Sequence, residues 1–366
     1  MSSTKFCIFC GEPPSDKNKE HVLPRWLLAL TGDPKRVVRL GFNMKLGQDP
    51  SPREYAFDQF TFPACERCNT SHSALESSAK GVVEKVLNGA PVVTHELSVL
   101  MDWFDKVRVG LWLGFHQLSK NMLNVEPQFH IARRIGQFDR LLIVERYAPP
   151  AQRLNFGGTD TPAFGLTPSA FSLTVNDFHF TNVSYSFLVS RRLGFPFPSE
   201  SHLVKDRDGL MHTMQPARRR IMRPLLQRPI MERGVILYQP MFPQDLGETV
   251  SEYYDDPYVR AHSLDYEAGI GSIFLETPKD NVRSLRSNEQ IILNPVAIYG
   301  LEELLLKSAV SMCDWQDWLT EGAFGFGNLT PEQRRYVRAK QNMTKSVNKI
   351  LRDHHASLLQ KRGYGG

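Results

Sequence analysis

Apolar residues recur at helical spacing between about 97 and 120, where Leu100, Trp103, Val107, Leu111 and Leu118 share one face. This predicts a long amphipathic helix that packs into a core. A period of two governs 171–189. Phe171, Leu173 and Val175, then Val183, Tyr185, Phe187 and Val189, alternate with other residues, which predicts strands broken by Asn-Asp and Thr-Asn turns. Nearer the start, RVVRLGFNMKL (36–46) and REYAFDQFTF (53–62) read as two strands joined by the turn GQDPSP. Before them KEHVLPRWLLAL (19–30) leads into a short apolar helix with Pro24 at its start. After them NTSHSALESSAKGVVEKVL (69–87) reads as a helix. Residues 299–320 form another, and Thr330-Pro331-Glu332-Gln333 is a capping box that opens a last helix towards Gln360.

These elements make an α+β protein. A small N-terminal module spans 1–90, a larger mixed α/β domain spans 91–328, and a C-terminal helix occupies 329–366. The chain of 366 residues is long enough for more than one core. No apolar run reaches the roughly 18 residues of a membrane span, and the first 21 residues lack the apolar core of a signal peptide. A cytoplasmic location with no membrane partner is expected.

Charge changes the picture at one end. From Pro331 onward there are nine Lys and Arg: Arg334, Arg335, Arg338, Lys340, Lys345, Lys349, Arg352, Lys361 and Arg362. They face only Glu332 and Asp353, against a net charge of +5 for the whole chain. A basic element on a near-neutral body is one footprint of a polyanion, although a solvated surface helix has the same composition. Arg218, Arg219 and Arg220 form a second basic cluster. Arg133, Arg134, Arg191 and Arg192 are further candidates for phosphate contacts, or for ion pairs within the domain.

Five cysteines are present, and four fall into Cys7-x-x-Cys10 and Cys65-x-x-Cys68. Two thiolates two residues apart can bind one metal from a tight turn, and two such turns complete a tetrahedral S4 site suited to structural Zn²⁺. Cys313, beside Trp315, reads as a small buried apolar residue.

Around the cysteines lie Glu20-His21, just before Val22-Leu23-Pro24; Asn69, directly after Cys68; and His72, one turn further. On CIFCG, EHVLPRWL, CERCN and HSALE, residues 5–80 resemble the zinc-stapled HNH (ββα-metal) endonucleases. The resemblance implies a ββα module cutting or nicking DNA. His21 would be its general base, Glu20, Asn69 and His72 would lie about a catalytic Mg²⁺ or Mn²⁺, and Ser73 and Glu76 would pack beside it. The family's middle Asn has no clean counterpart, and Asn43, Asp58 and Gln59 are the candidates. The family's usual company suggests bacterial antiviral defence and a protein activator. Residues 81–366 resemble an unnamed segment that accompanies HNH modules in bacteria.

The chemistry suits the residues. A histidine with an ordinary pKa near 6.5 takes a proton from water at neutral pH. A hard divalent cation relieves phosphoryl charge. Asn69, at a helix start, would meet phosphate where free N–H groups point outward. Each residue also has a plain role open to it: Asn69 as a cap, His21 as a buried histidine, Glu20 as a surface acid. The alternatives are a non-catalytic zinc-stapled nucleic-acid binder and a regulatory interaction protein.

Overall fold

A computed structural model describes residues 5–16, 18–43, 51–118, 125–127, 129–186, 188, 197–203, 210–215, 234–241, 271–278, 282–322 and 330–364. Arg191, Arg192, Arg218, Arg219 and Arg220 lie outside them, as does most of the GQDPSP turn.

Strand β1 (Lys19–His21) is followed by α1 (Arg25–Leu30), with Pro24 just ahead of it as the N-cap residue rather than in its first turn. The strand expected over 53–62 is two strands. β2 (Val37–Asn43) pairs antiparallel with β3 (Ser51–Ala56). A 3-10 turn over Phe57–Gln59 then redirects the chain into β4 (Thr61–Pro63), whose partner is β1. The helix expected from Asn69 begins three residues earlier. Helix α2 runs Glu66–Leu87 with Cys65 as its N-cap, so the second cysteine pair straddles the helix start. The local order is thus a β1–β4 pair feeding α2.

A short strand β5 (Val92–Val93) precedes α3 (Thr94–Leu118). Beyond it come β6 (Arg140–Arg146), β7 (Leu154–Gly157), α4 (Pro162–Leu166), β8 (Ala170–Val175), β9 (Phe178–Ser184), β10 (Phe197–Leu203), β11 (Leu210–Gln215), β12 (Val235–Gln239), β13 (Phe274–Glu276), β14 (Arg283–Ser284) and β15 (Gln290–Ile291). Two helices close the chain, α5 (Leu301–Gly322) and α6 (Pro331–Lys361). Among the described residues, seven strands form one antiparallel sheet in the order β14-β13-β12-β6-β9-β8-β7. The Asn176-Asp177 turn separates β8 from β9 as expected, whereas Thr181-Asn182 lies inside β9.

The two faces of that sheet have different chemistry. Phe104 of α3 packs on Phe171 and Phe180, and Arg108 of α3 bonds Asn182. On the other face His179 meets Ser308 of α5, and Gln316 of α5 reaches the Ala170 carbonyl. One face of β8 and β9 is therefore large and apolar, and the other small and polar. Both are buried, so the period-two pattern separates chemistries rather than core from solvent.

Helix α3 is buried almost all round, including Asp105, Lys106, Arg108 and His116. Its charges are answered locally. Asp105 pairs with Arg108 (2.5 Å) and Arg140 (3.0 Å), and Arg140 also reaches Asp102 (2.6 Å). Along another face, Lys106, Gly110 and Gly114 form one i, i+4, i+8 ridge towards the β1–β4 pair. A Cβ on Gly110 would lie 2.8 Å from Val22, and one on Gly114 would lie 2.4 Å from Phe62. The missing side chains let the strand pair seat directly on the helix. One apolar core runs without a break from Cys7 to Leu293, across the expected boundary at residue 90.

At the C-terminus both halves of the Thr330–Gln333 capping box form. Arg352 of α6 binds Asp314 (2.6 Å) and Asp317 (2.7 Å) of α5. Cys313 is buried, as expected. No helix among the described residues is long and apolar enough to cross a membrane.

Candidate active site beside a four-cysteine cluster

Cys7 opens a tight turn in which Gly11, at φ +86°, returns its N–H to the Cys7 carbonyl at 2.8 Å. The Cys65 N–H points at the Cys7 sulfur (3.3 Å). The ligand atoms of Cys7, Cys10, Cys65 and Cys68 all lie within 4.8 Å of one another, and no other group of three or more His, Cys, Asp or Glu among the described residues could hold a metal ion. Four thiols at this spacing fit an S4 ion such as zinc, whose bonds of about 2.3 Å would draw them together. Burial acts against the Cys7 thiolate, but N–H groups of Cys10, Cys65 and Phe9 outweigh it and hold that thiol below its ordinary value. Burial and the neighbouring thiols push Cys68 up to about 12. A bound cation reverses that crowding by favouring every thiolate.

The turn is fastened to the rest of the chain. Ile131 N–H bonds the Ile8 carbonyl and Ala132 N–H bonds the Phe9 carbonyl, each at 3.0 Å. The His130 ring fills the space beside Gly11. Phe9, between the first two cysteines, stacks on His72 with ring centroids 4.4 Å apart.

His21 ends β1, half-buried. Its Nε2 lies 3.1 Å from the carbonyl oxygen of Asp58, in the 3-10 turn. A carbonyl only accepts, so Nε2 carries the proton and Nδ1 keeps a lone pair. Burial, opposed by this hydrogen bond, holds the imidazole below its ordinary pKa of 6.5, and the charges of Arg25 and Lys106 act in the same direction as burial. His21 is therefore neutral at pH 7 with one nitrogen held and one available. Of the candidates for the middle position, Asp58 touches His21, and it does so through its backbone.

Glu20, one residue earlier, points the other way and is 7% exposed. Its carboxylate bonds the ammonium of Lys106, which also bonds Glu76 on α2. Trp26 Nε1 donates to the second oxygen of Glu76 at 3.0 Å. Burial pulls the Lys106 ammonium down, and the two carboxylates more than restore it, so it stays charged. Glu20, expected beside a divalent cation, instead has this lysine as its partner.

His72 lies one turn before Glu76 on the same face of α2, and Asn69 nearly one turn before that. The Nδ1 of His72 lies 2.8 Å from the Cys68 carbonyl, to which it donates, and 3.1 Å from Ser71 Oγ, so both of these polar contacts of the ring fall on Nδ1. Asn69 is half-buried, and its N–H joins the helix ladder to Cys65 at 2.9 Å. Ser73 is exposed and bonds the Thr70 carbonyl. The link that ties β1 to α2 is Glu20–Lys106–Glu76.

The basic candidates divide. Arg134 is fully buried, with its guanidinium stacked on Phe138 at 3.2 Å, while Arg133 beside it is exposed. Arg334, Arg335 and Arg338 stand on the first turns of α6, which are exposed almost all round.

Lys106, Trp26 and Phe9 were not legible as site residues. Lys106 carried one signal, a charged cluster with Asp102, Asp105 and Arg108 in the middle of a helix rich in large apolar residues. No family model, curated protein or solved structure matches this chain.

Proposed function

We propose that the protein is an HNH-type endonuclease that cuts or nicks DNA, with His21 as general base. The observation that supports this best is the setting of His21: a neutral imidazole, one nitrogen fixed on a backbone carbonyl, the other free. A water placed at Nδ1 gives up its proton there as its oxygen attacks phosphorus; the ester P–O bond opposite breaks, the leaving oxygen takes a proton from solvent water, and the Asp58 carbonyl steadies the imidazolium that results until it returns its proton to solvent. A positioned base of this kind contributes about 10²–10⁴-fold.

The cysteine cluster fits a structural zinc and takes no part in the reaction. The fit of a catalytic Mg²⁺ or Mn²⁺ differs residue by residue. His72 suits it, because donation to the Cys68 carbonyl fixes the ring and frees Nε2, the arrangement metal-binding histidines use. Asn69 lies on the same face. Glu20 does not suit it, since Lys106 takes its carboxylate. When bound, such an ion supplies charge relief to the phosphoryl oxygens. The exposed first turns of α6, with Arg335 and Arg338, suit contacts to the DNA backbone, which predicts binding that weakens steeply with salt. A place in antiviral defence, with a protein activator, rests on the family resemblance alone.

A second reading is a zinc-stapled binder or regulatory protein without catalysis. It is favoured by the pairing of Glu20 with Lys106 and by the lack, among the described residues, of a second gathered ligand set. The test is supercoiled plasmid with zinc-loaded protein, Mg²⁺ or Mn²⁺, and a His21→Ala control. Metal-dependent nicking that falls at least a hundredfold in the variant is expected. DNA binding without cleavage under every condition would establish the second reading.

A further inference from the structure

Lys106 is a buried cation brought to two carboxylates from far away in sequence, 86 residues from Glu20 and 30 from Glu76. The three side chains come from three elements: β1, α2 and α3. Lys106 is 1% exposed. Two carboxylates held this close in a poorly hydrated place repel each other, and a lone buried ammonium is costly as well. Together they satisfy one another, and Trp26 takes up the remaining Glu76 oxygen.

We propose that Glu20 and Glu76 form a cation site that the chain fills with its own Lys106, closed to external divalent ions in the intact protein.

Three features support closure. The ammonium stands between the two carboxylates, where an ion bridging them would have to go. An ion with two positive charges arriving there would meet Lys106 at close range, and the lysine would have to leave. Gly110 and Gly114, one and two turns along the same ridge, seat α3 closely on Val22 and Phe62, which fixes the stretch of helix that carries Lys106. The Phe9 ring, 5.9 Å from the ammonium, closes another side. Lys106 thereby becomes a positioning residue. It clamps β1 to α2 and sets the strand on which His21 is the next residue. The proposal sharpens the nuclease reading by removing Glu20 from the divalent ion's ligands, but it does not depend on cleavage.

The experiment measures Mn²⁺ binding to zinc-loaded protein by electron paramagnetic resonance, beside thermal unfolding. In the wild-type background, Glu20→Gln and Glu76→Gln are expected to leave Mn²⁺ affinity within threefold. Lys106→Met is expected to melt several degrees lower and to gain one Mn²⁺ equivalent that restores its midpoint. That equivalent disappears in Lys106→Met/Glu76→Gln and is absent in Lys106→Arg. A loss of tenfold or more in Mn²⁺ affinity in either single Gln variant would overturn the proposal, as would a folded Lys106→Met that gains no Mn²⁺. Should Lys106→Met fail to fold, the two Gln variants decide. A protein that cleaves no DNA yet gives these results defeats the nuclease reading alone.

Discussion

His21 and His179 are both strand histidines that burial keeps on the neutral side, and they differ in what is left for chemistry. His179 is fully buried on the polar face of the sheet. Its Nδ1 meets Thr174 Oγ1 at 2.9 Å, its Nε2 meets Ser308 Oγ at 2.7 Å, and its pKa is pulled down to about 4. Nothing remains free on the ring. His21 is half-buried, with Nε2 on the Asp58 carbonyl and Nδ1 unspent. A neutral imidazole is common to both, so a depressed pKa alone does not mark a catalytic base. One held nitrogen with one available nitrogen is what the proposed base role of His21 needs, and His179 lacks it.

The largest expected effect separates the two regions. Cys65→Ser, or chelation of the metal, is predicted to lose hydrogen-exchange protection first over residues 5–87 and to leave β8–β9 protected, because structural zinc supplies roughly 10–16 kcal/mol of apparent folding energy in small modules. Equal loss in both regions would show that the cluster does not hold the N-terminal module by itself. Next comes His179→Leu. It strands two buried hydroxyls, at a cost of about 1–3 kcal/mol near neutral pH. It also removes a pH dependence. His179 must stay uncharged in the fold but titrates near 6.5 when unfolded, so its contribution is present above 6.5 and is lost as pH falls towards about 4, on the order of 3 kcal/mol. Denaturant titrations at pH 7 and pH 4.5 should show that difference in the wild type and a smaller one in the variant. An effect no larger than that falls on the seat of the first region. Gly114→Ala drives a methyl into Phe62 and should cost about 1–3 kcal/mol by overpacking, with Phe62→Leu recovering part of it. A thermal midpoint unchanged in the single variant would mean that the strand pair is not pressed on α3.

Much of this was readable in advance, for physical reasons that can be named. The cysteine pairs announce themselves because metal ligation needs specific atoms at specific spacing, and the four thiols do converge. The last helix was legible because its cap is a local device between Thr330 and Gln333. Lys106 was hidden because its role depends on partners 30 and 86 residues away, which no local pattern records. The partner of His21 was hidden for another reason. It is a backbone carbonyl, and carbonyls carry no residue identity, so comparing Asn43, Asp58 and Gln59 by side chain missed what Asp58 supplies. The strand over 53–62 was read as one piece because both halves alternate well; the 3-10 turn that splits it is what carries Asp58 to His21.

The central claim is that His21 is a neutral imidazole with Nε2 protonated and Nδ1 free. Nitrogen-15 NMR of the zinc-loaded protein, with histidine labelled, measures this directly. One tautomer is expected for His21, protonated at Nε2 and titrating below 6.5 as a proton arrives at Nδ1. A His21 protonated at Nδ1, or one already an imidazolium at pH 7, would contradict it.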